Sequence, residues 1–294
     1  MADLSTLNDL QAARRRRLAI ASTMLRYTLL LFVGFVMLYP LIWLVGASFK
    51  TNSEIFSGAG FWPQQPTVDG YVKGWETSTP YTFGRFFWNS FLIIMPKVMG
   101  TAISCTLAAY AFARFDFPFK KLFFGSVIAI LLLPNVVTRI PQYMLFRDLG
   151  WLDTFLPLWV PSAFAGDAFF VFMLVQFLRS LPPDMEEAAR VDGANSLQTL
   201  LYIVVPMLAP ALISVCLFQF MWTMNDFLGP LIYLSSVDKY PVSLALKLSI
   251  DTTEAFEWNR ILAMSVLTIT PALVVFFAAQ RYFIEGISSG GIKG

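Results

Sequence analysis

Histidine is absent from all 294 residues, cysteine occurs twice, and only 14% of the chain is charged. Without histidine the chain lacks the usual general base and the commonest zinc and copper ligand. Cys105 and Cys216 both fall inside long apolar runs, where they read as small packing residues rather than a disulfide pair. No G-x-x-x-x-G-K-[ST] phosphate loop occurs, so the chain has no recognisable means of binding ATP itself. Gly286, Ile287, Ser288, Ser289 and Gly290 match G-x-S-x-G, but a nucleophilic serine in that motif needs a histidine and a strand-to-helix elbow. An enzyme therefore has little to stand on here: no catalytic residue and no metal ligand is assigned. A net charge of +2 is too small to point to nucleic acid.

What is present is apolar. Hydrophobic residues make up 57% of the chain and mean hydropathy is +0.64, whereas soluble domains carry about a quarter charged residues. Six runs approach the ~20 residues that cross roughly 30 Å of hydrocarbon as a helix. They are 27–45, 87–112, 122–137, 156–178, 207–234 and 261–283. The third is the shortest, and Pro134 and Pro141 obscure its end. Arg14 to Arg17 followed by an apolar run ending Val45, Gly46, Ala47 has features of a secretory signal. The run is longer than the usual ~7–15 residues of such a signal, so it reads as an uncleaved first span. The expected architecture is an all-α integral membrane protein with segment 1–26, a six-helix transmembrane domain over 27–285, and a tail over 286–294.

Six spans put both termini on one side of the membrane, and lysine and arginine accumulate near span ends on the cytoplasmic side. With the N-terminus inside, that side holds Arg14 to Arg17, Arg26, Arg114, Lys120, Lys121, Arg179, Arg190, Arg281 and Lys293, twelve of the 21 basic residues. Both termini are therefore expected in the cytoplasm, together with a polar stretch over 182–206. In that stretch Pro183 suits a first helical turn, Asp184, Glu186 and Glu187 favour the positive end of a helix dipole, and Gly193 supplies a stop. A second short helix is expected from the N-cap residues Asn195 or Ser196 to Val205, before Pro206 opens the fifth span. Leu197, Leu200, Leu201 and Val204 recur at helical spacing and call for apolar cover. Two short helices with an acidic first turn and small residues at Ala188, Ala189 and Ala194 fit a plug for a groove on a soluble partner. They equally fit an amphipathic connector on the membrane surface. A DNA-reading helix-turn-helix is disfavoured by the acidic charge and the membrane tether at both ends.

Ionisable residues within spans are costly and often functional. Asp167 falls in the fourth run, and Lys97 and Arg139 are its candidate partners. With Asn135, Trp222, Asn225 and Asp226 these groups either line the path of a polar substrate or form satisfied contacts between helices, with Lys97 snorkelling. The cations Lys50, Lys97, Arg139, Arg147 and Lys247, if gathered in an outer cavity, would favour an acidic over a neutral substrate.

At the polar stretch the chain resembles the membrane-spanning permease subunits of bacterial ABC importers. Their cytoplasmic signature is E-A-A, three residues, G, nine residues, then I-x-L-P. It stands here as Glu187, Ala188, Ala189, Gly193, Ile203, Val204, Val205 and Pro206, with Val205 in place of leucine. Further pieces are similar to the carbohydrate-uptake branch and to the smaller permease of the maltose system: Ala109 to Arg114, Trp222 with Asn225 to Phe227, and the tail Gly286, Gly290, Gly291, Ile292, Lys293, Gly294.

The resemblance implies a type I ABC importer permease fold in the bacterial inner membrane. It also implies a heterodimer with a second permease, two copies of an ATPase that binds ATP and Mg, an external solute-binding protein and a sugar substrate, with no cofactor on this chain and no nucleic acid. It assigns contact with the ATPase to Glu187, Ala188, Ala189, Asp192, Gly193, Ala194, Ile203 and Pro206, and to Gly290, Gly291, Lys293 and Gly294 of the tail. Two alternatives stand beside it. An ion-driven secondary transporter or channel would call for inverted repeats, none of which is evident; a membrane scaffold would assemble a complex without transporting.

Overall fold

The computed structural model describes residues 3–57, 60–77, 79–251 and 257–290. Every regular element among them is helical. In chain order the helices are α1 (Asp3–Ala47), α2 (Asn52–Ser57), α3 (Asp69–Glu76), α4 (Phe83–Arg114), α5 (Lys120–Leu132), α6 (Asn135–Asp148), α7 (Leu156–Trp159), α8 (Ala168–Ser180), α9 (Asp184–Val191), α10 (Ser196–Thr199), α11 (Val205–Met224), α12 (Leu228–Tyr233), α13 (Val242–Asp251) and α14 (Trp258–Gly290). Five stretches among the described residues are long and apolar enough to span a membrane: Arg15–Ala47, Phe83–Arg114, Leu156–Ser180, Ser196–Met224 and Trp258–Gln280. The bent pair of α5 and α6 is a sixth candidate.

Three of the six expected runs are not the straight spans that hydropathy alone suggests. In the third, Leu133 takes extended dihedrals (φ −78°, ψ 131°), as the residue before a proline tends to do, and α5 ends there. The pair then bends by 108°. The fourth run is broken by a 3-10 turn over Val160–Phe164 and a left-handed Ala165 (φ 55°) before α8 begins. Asp167 consequently sits at the start of α8, not in mid-helix. The fifth run loses its end: α11 stops at Met224, and α12 is a separate piece beginning at Leu228.

The chain divides into two compact units, residues 1–71 with 257–266 and residues 72–256 with 267–294. In the first, the apolar stretch of α1 is almost wholly exposed, as befits a helix solvated by lipid. Beyond α1 the Ser48 hydroxyl meets the Tyr71 hydroxyl at 2.7 Å, and the Asn259 N–H donates to the Asn52 side chain at 3.0 Å. Lys50 is buried there and donates to the Gly60 carbonyl. It is a local structural cation of this unit.

In the second unit α4, α8 and α11 pack around one core of buried residues. Cys105, Ala109 and Tyr110 of α4 meet Phe170, Val171, Leu174, Val175 and Leu178 of α8 and Leu208, Ala211 and Val215 of α11. Lipid tails are as apolar as leucine, so helices in a membrane associate through close packing and interhelical hydrogen bonds, not through exclusion of water. Small residues permit the closeness. A Cβ at Gly100 would lie 3.1 Å from the Cα of Ala163. Both cysteines are free, and Cys105 is a core residue, in keeping with a packing role.

Candidate functional site

The break in the fourth run exposes backbone polar groups inside the helical unit, where each must find a partner. α4 supplies them. The Ser104 hydroxyl donates to the Ser162 carbonyl at 2.8 Å and accepts from the Ala165 N–H at 3.0 Å. One turn earlier, the Thr101 hydroxyl donates to Asp167 Oδ2 at 3.0 Å, and Gln219 Nε2 of α11 lies 3.4 Å from the same oxygen. Asp167 therefore bonds to Thr101 and Gln219 rather than pairing with Lys97 or Arg139. Neither Thr101, Ser104 nor Gln219 stands out in the sequence, because hydroxyls and amides in apolar runs are common; it is their burial, 0% exposure for Thr101 and 1% for Gln219, that calls for partners.

Beside this break lies a cavity of about 430 Å³. Lys97, Arg139, Asp167, Trp222 and Asp226 all line it, so five of the seven residues expected on a substrate path converge. Asn225 does not join them: it is exposed and its amide donates to the Met221 carbonyl at 2.8 Å, closing the end of α11. Asn135 is the first residue of α6, and its side chain lies outside the described residues. Thr138, Gln142, Ser162, Gln219 and Tyr233 complete the polar lining.

The charges of this cavity are not equally engaged. Asp167 accepts from Thr101 and Gln219, and Asp226 Oδ1 accepts from the Gly229 N–H at 3.0 Å. A side chain at position 229 would collide with that carboxylate, its Cβ falling 2.5 Å from Oδ2. Among the described residues neither Lys97 nor Arg139 makes a hydrogen bond or ion pair, and the buried Tyr233 hydroxyl finds no hydrogen-bond partner among them either. Trp222 is half exposed beside them, its other neighbours being the rings of Phe169, Phe170 and Phe218 at 5.3, 5.0 and 6.2 Å. Of the other expected cations, Lys50 is held in the other unit and Arg147 pairs with Asp148 at 3.0 Å. Lys247 does not line the cavity.

The polar stretch over 182–206 begins as its residues suggest. α9 starts after Pro183, and its C-terminus closes on Gly193 at φ 86°, a left-handed conformation open to glycine. The Gly193 N–H donates to the Arg190 carbonyl at 3.0 Å and the Ala194 N–H to the Ala189 carbonyl at 2.9 Å. A capping box then opens the next helix, Asn195 Oδ1 accepting from the Gln198 N–H and Gln198 Oε1 from the Asn195 N–H, both at 2.9 Å.

The second short helix is not a separate piece. α10 runs through a π-helical turn over Leu200–Val204 directly into α11, so one helix extends from Ser196 to Met224. Pro206 lacks an N–H and would break a regular helix at this point; the π turn, in which the Val205 N–H reaches the Leu200 carbonyl, takes up the irregularity. Leu200 and Val204 are covered by the core, whereas Leu197 and Leu201 remain exposed with Val191 and Tyr202, which are 88% and 75% accessible. Glu187, Ala188, Asp192, Gly193 and Pro206 are exposed, and Ala189, Ala194 and Ile203 are half-buried.

Glu186, one residue before the signature glutamate, does something different. It is buried and its Oε1 pairs with Arg114 Nε of α4 at 2.6 Å. Arg114 also donates through Nη2 to the Leu181 carbonyl at 3.2 Å. Neighbouring residues on a helix point about 100° apart, so one glutamate faces inward and the next faces out. In the tail, α14 continues through Gly290, so the G-x-S-x-G match lies on a helix and not on an elbow. Gly291, Lys293 and Gly294 lie outside the described residues.

Residues 100–289 match the family model described as the binding-protein-dependent transport system inner membrane component. A probable ABC transporter permease protein of Pyrococcus horikoshii is 32% identical over 89% of this chain and 94% of its own. The arabinooligosaccharides transport system permease protein of Halalkalibacterium halodurans is 31% identical over 90% of this chain and 94% of its own. Among solved structures, one chain of a bacterial ABC transporter involved in the import of the acidic polysaccharide alginate superposes with a TM-score of 0.78. It covers 88% of this chain and 95% of its own at 24% identity, which establishes the shared permease fold. On the match over residues 100–289 and the identity to curated permeases, the chain belongs to the family of inner membrane components of binding-protein-dependent transport systems.

Proposed function

We propose that this permease passes an oligosaccharide bearing carboxylates, a uronate-type oligomer, through the cavity lined by Lys97 and Arg139. The observation that carries the cargo reading is the unequal engagement of charge: both carboxylates of the cavity already accept hydrogen bonds from the protein, while the two cations and the Tyr233 hydroxyl do not. A substrate carboxylate satisfies them, and a charge-assisted hydrogen bond is worth about 1.5–3 kcal/mol in a site shielded from water. Trp222 offers a face on which a pyranose ring stacks, and Gln142, Thr138 and Ser162 offer partners for hydroxyls. The relative from H. halodurans is named for arabinooligosaccharides and the solved transporter for alginate, so oligosaccharide cargo has precedent among similar proteins.

In this reading the 182–206 element lies in the cytoplasm with both termini. Glu187, Ala188, Ala189, Asp192, Gly193, Ala194, Ile203 and Pro206, with Gly290, Gly291, Lys293 and Gly294 of the tail, meet an ATPase. That ATPase, present in two copies, holds ATP and Mg; a second permease completes the pore and an external binding protein delivers the sugar. Closure of the ATPase dimer displaces α9, and the attached helices carry the movement to the cavity.

The test is uptake by the purified complex in vesicles, with uronate oligomers compared against neutral oligomers of equal length. Uronate uptake is expected to exceed neutral uptake, and Lys97→Gln to lower the uronate rate about tenfold, the loss of one charged contact of ~1.4 kcal/mol. Equal uptake of the two, unchanged by Lys97→Gln, would sink the cargo assignment. Uptake that persists without any ATPase subunit would sink the transport mechanism.

A further inference from the structure

Chain connectivity ties α9 to α8 before it and to α10 and α11 after it. The buried pair adds a third connection that the connectivity does not contain. Arg114 is the last residue of α4, 12% exposed in its side chain, and Glu186 is 5% exposed. The two lie 72 positions apart in sequence and meet at 2.6 Å, with the same arginine holding the Leu181 carbonyl at the entry to α9. Arg114 thus clamps both the approach to α9 and its first turn. Glu186 Oε2 has no hydrogen-bond partner among the described residues, so the ion pair itself rests on one carboxylate oxygen.

α4 is the helix that also organises the cavity. Thirteen residues before Arg114, about 20 Å away at 1.5 Å per residue, Thr101 holds Asp167. Ser104 holds the helix break, and Lys97 lines the cavity one turn further on. Between these two ends Cys105, Ala109 and Tyr110 are locked into α8. A displacement of α9 delivered through the Arg114–Glu186 pair therefore reaches the cavity along a continuous helix packed over most of that length.

We propose that Arg114 and Glu186 are a positioning pair for transport: they make α4 part of the body that the docking element moves, so that displacement of α9 reaches Thr101, Ser104 and Lys97 as well as α8 and α11. The proposal rests on the reading that α9 docks on an ATPase. It separates the two adjacent glutamates by task, Glu187 outward for docking and Glu186 inward for transmission.

The test uses the complete complex of permeases, ATPase and binding protein in vesicles, and reads the ATP hydrolysed for each solute taken up. Single changes strand a buried charge and risk the fold, so the informative variant is the double change Arg114→Met with Glu186→Leu. An apolar pair of similar volume keeps the contact filled, because replacing both partners of a buried ion pair is often neutral for stability. The complex is expected to assemble and hydrolyse ATP, while ATP spent per solute rises at least about fivefold, the lower end of a typical coupling between sites. An unchanged ratio with uptake at the native rate overturns the proposal and leaves the pair as packing. So does loss of uptake by failure of the double variant to assemble, since a positioning role predicts a complex that forms but slips. Glu187→Lys serves as the separate control. Recovery of an intact, ATPase-bearing complex with that change defeats the docking reading itself, whatever the double variant does.

Discussion

Two helix breaks in the same unit, at Ala165 and at Gly193, use the same left-handed backbone turn, and only the first is also tied to another helix. Gly193 (φ 86°) is a residue with no side chain to resist the conformation, and its turn is closed by backbone bonds within its own segment and by the Asn195–Gln198 capping box. Nothing lies within 4 Å of where its Cβ would be, so the requirement for glycine there is conformational and not spatial. Ala165 (φ 55°) carries a methyl into a conformation that costs L-residues roughly 1–2 kcal/mol. Its turn is closed by the Gly166 N–H on the Pro161 carbonyl at 3.1 Å, and Ser104, on another helix, adds to this by accepting the Ala165 N–H and donating to the Ser162 carbonyl. The outer turn is closed within its own segment alone. The inner break adds to its own backbone bond a side-chain tie to α4, which fixes it against that helix.

The comparison breaks most sharply at Ser104. Ser104→Ala takes the hydroxyl away from the Ser162 carbonyl, while the Ala165 N–H keeps the Pro161 carbonyl, and a buried group left unsatisfied beside the cavity costs about 1–3 kcal/mol. Thermal unfolding of the detergent-solubilised complex is expected to fall accordingly, with substrate uptake falling alongside it because Asp167 lies two residues beyond the break. Ser104→Thr, which keeps the hydroxyl, is expected to retain most of both. An alanine variant as stable as the native chain would mean that the break supports itself. Gly193→Ala comes next, at about 1–2 kcal/mol for forcing a methyl into a left-handed turn. Its signature is selective: binding of the ATPase weakens while the thermal midpoint of the transmembrane core barely moves. If the midpoint falls as far as in Ser104→Ala, the two breaks are not independent.

How far each region was legible in the sequence follows from the same contrast. Gly193 announces itself, because glycine after a helix-forming stretch is a local signal and the capping residues Asn195 and Gln198 sit beside it. Ala165 does not, since alanine favours helix; the local contribution comes from Gly166 beside it, and the tie to Ser104, some sixty positions away, cannot be read locally. The bend in the third run was half visible in Pro134, whose effect on Leu133 is local, but a 108° turn is set by packing. Hydropathy placed Asp167 in mid-span for want of any means to see the break. The convergence of Lys97, Arg139, Asp167, Trp222 and Asp226 was legible because charges and tryptophan are conspicuous in apolar runs. Gln219, Ser104 and Thr101 were not, since their importance comes from partners on other helices. Glu186 was hidden by its neighbour: two adjacent acids look alike in sequence, and only the phase of α9 against α4 tells them apart.

A third left-handed residue sharpens the comparison further, because its support is electric charge. Asp153 (φ 56°) lies in the turn between α6 and α7, outside the apolar spans. Its carboxylate accepts from the Ser235 and Ser236 N–H groups at 3.0 and 2.9 Å and pairs with Lys239 at 2.8 Å, tying that turn to the chain after α12. Burial pushes this carboxyl up, but the Lys239 ammonium, the Ser236 hydroxyl and the two backbone donors outweigh it and hold it well below the ordinary carboxylate range. A group whose value is lowered on folding stabilises the folded state above its unfolded value, about 4, and that contribution drains away as pH falls toward the folded value. The hydrogen bonds that close the turns at Ala165 and Gly193 involve no carboxylate, so the loss below pH ~4 is expected to be larger at the 153–239 tie than at either turn. Hydrogen exchange at the Ser235 and Ser236 amides is expected to lose protection there, while the amides of Ala165 and Ala194 keep theirs at the same pH. Asp153→Asn removes the pH dependence and lowers protection at Ser235 and Ser236 already at pH 7. Protection at those two amides that is flat from pH 7 to 3 in the native chain would show that the left-handed turn at Asp153 is held by its backbone alone, as Gly193 is.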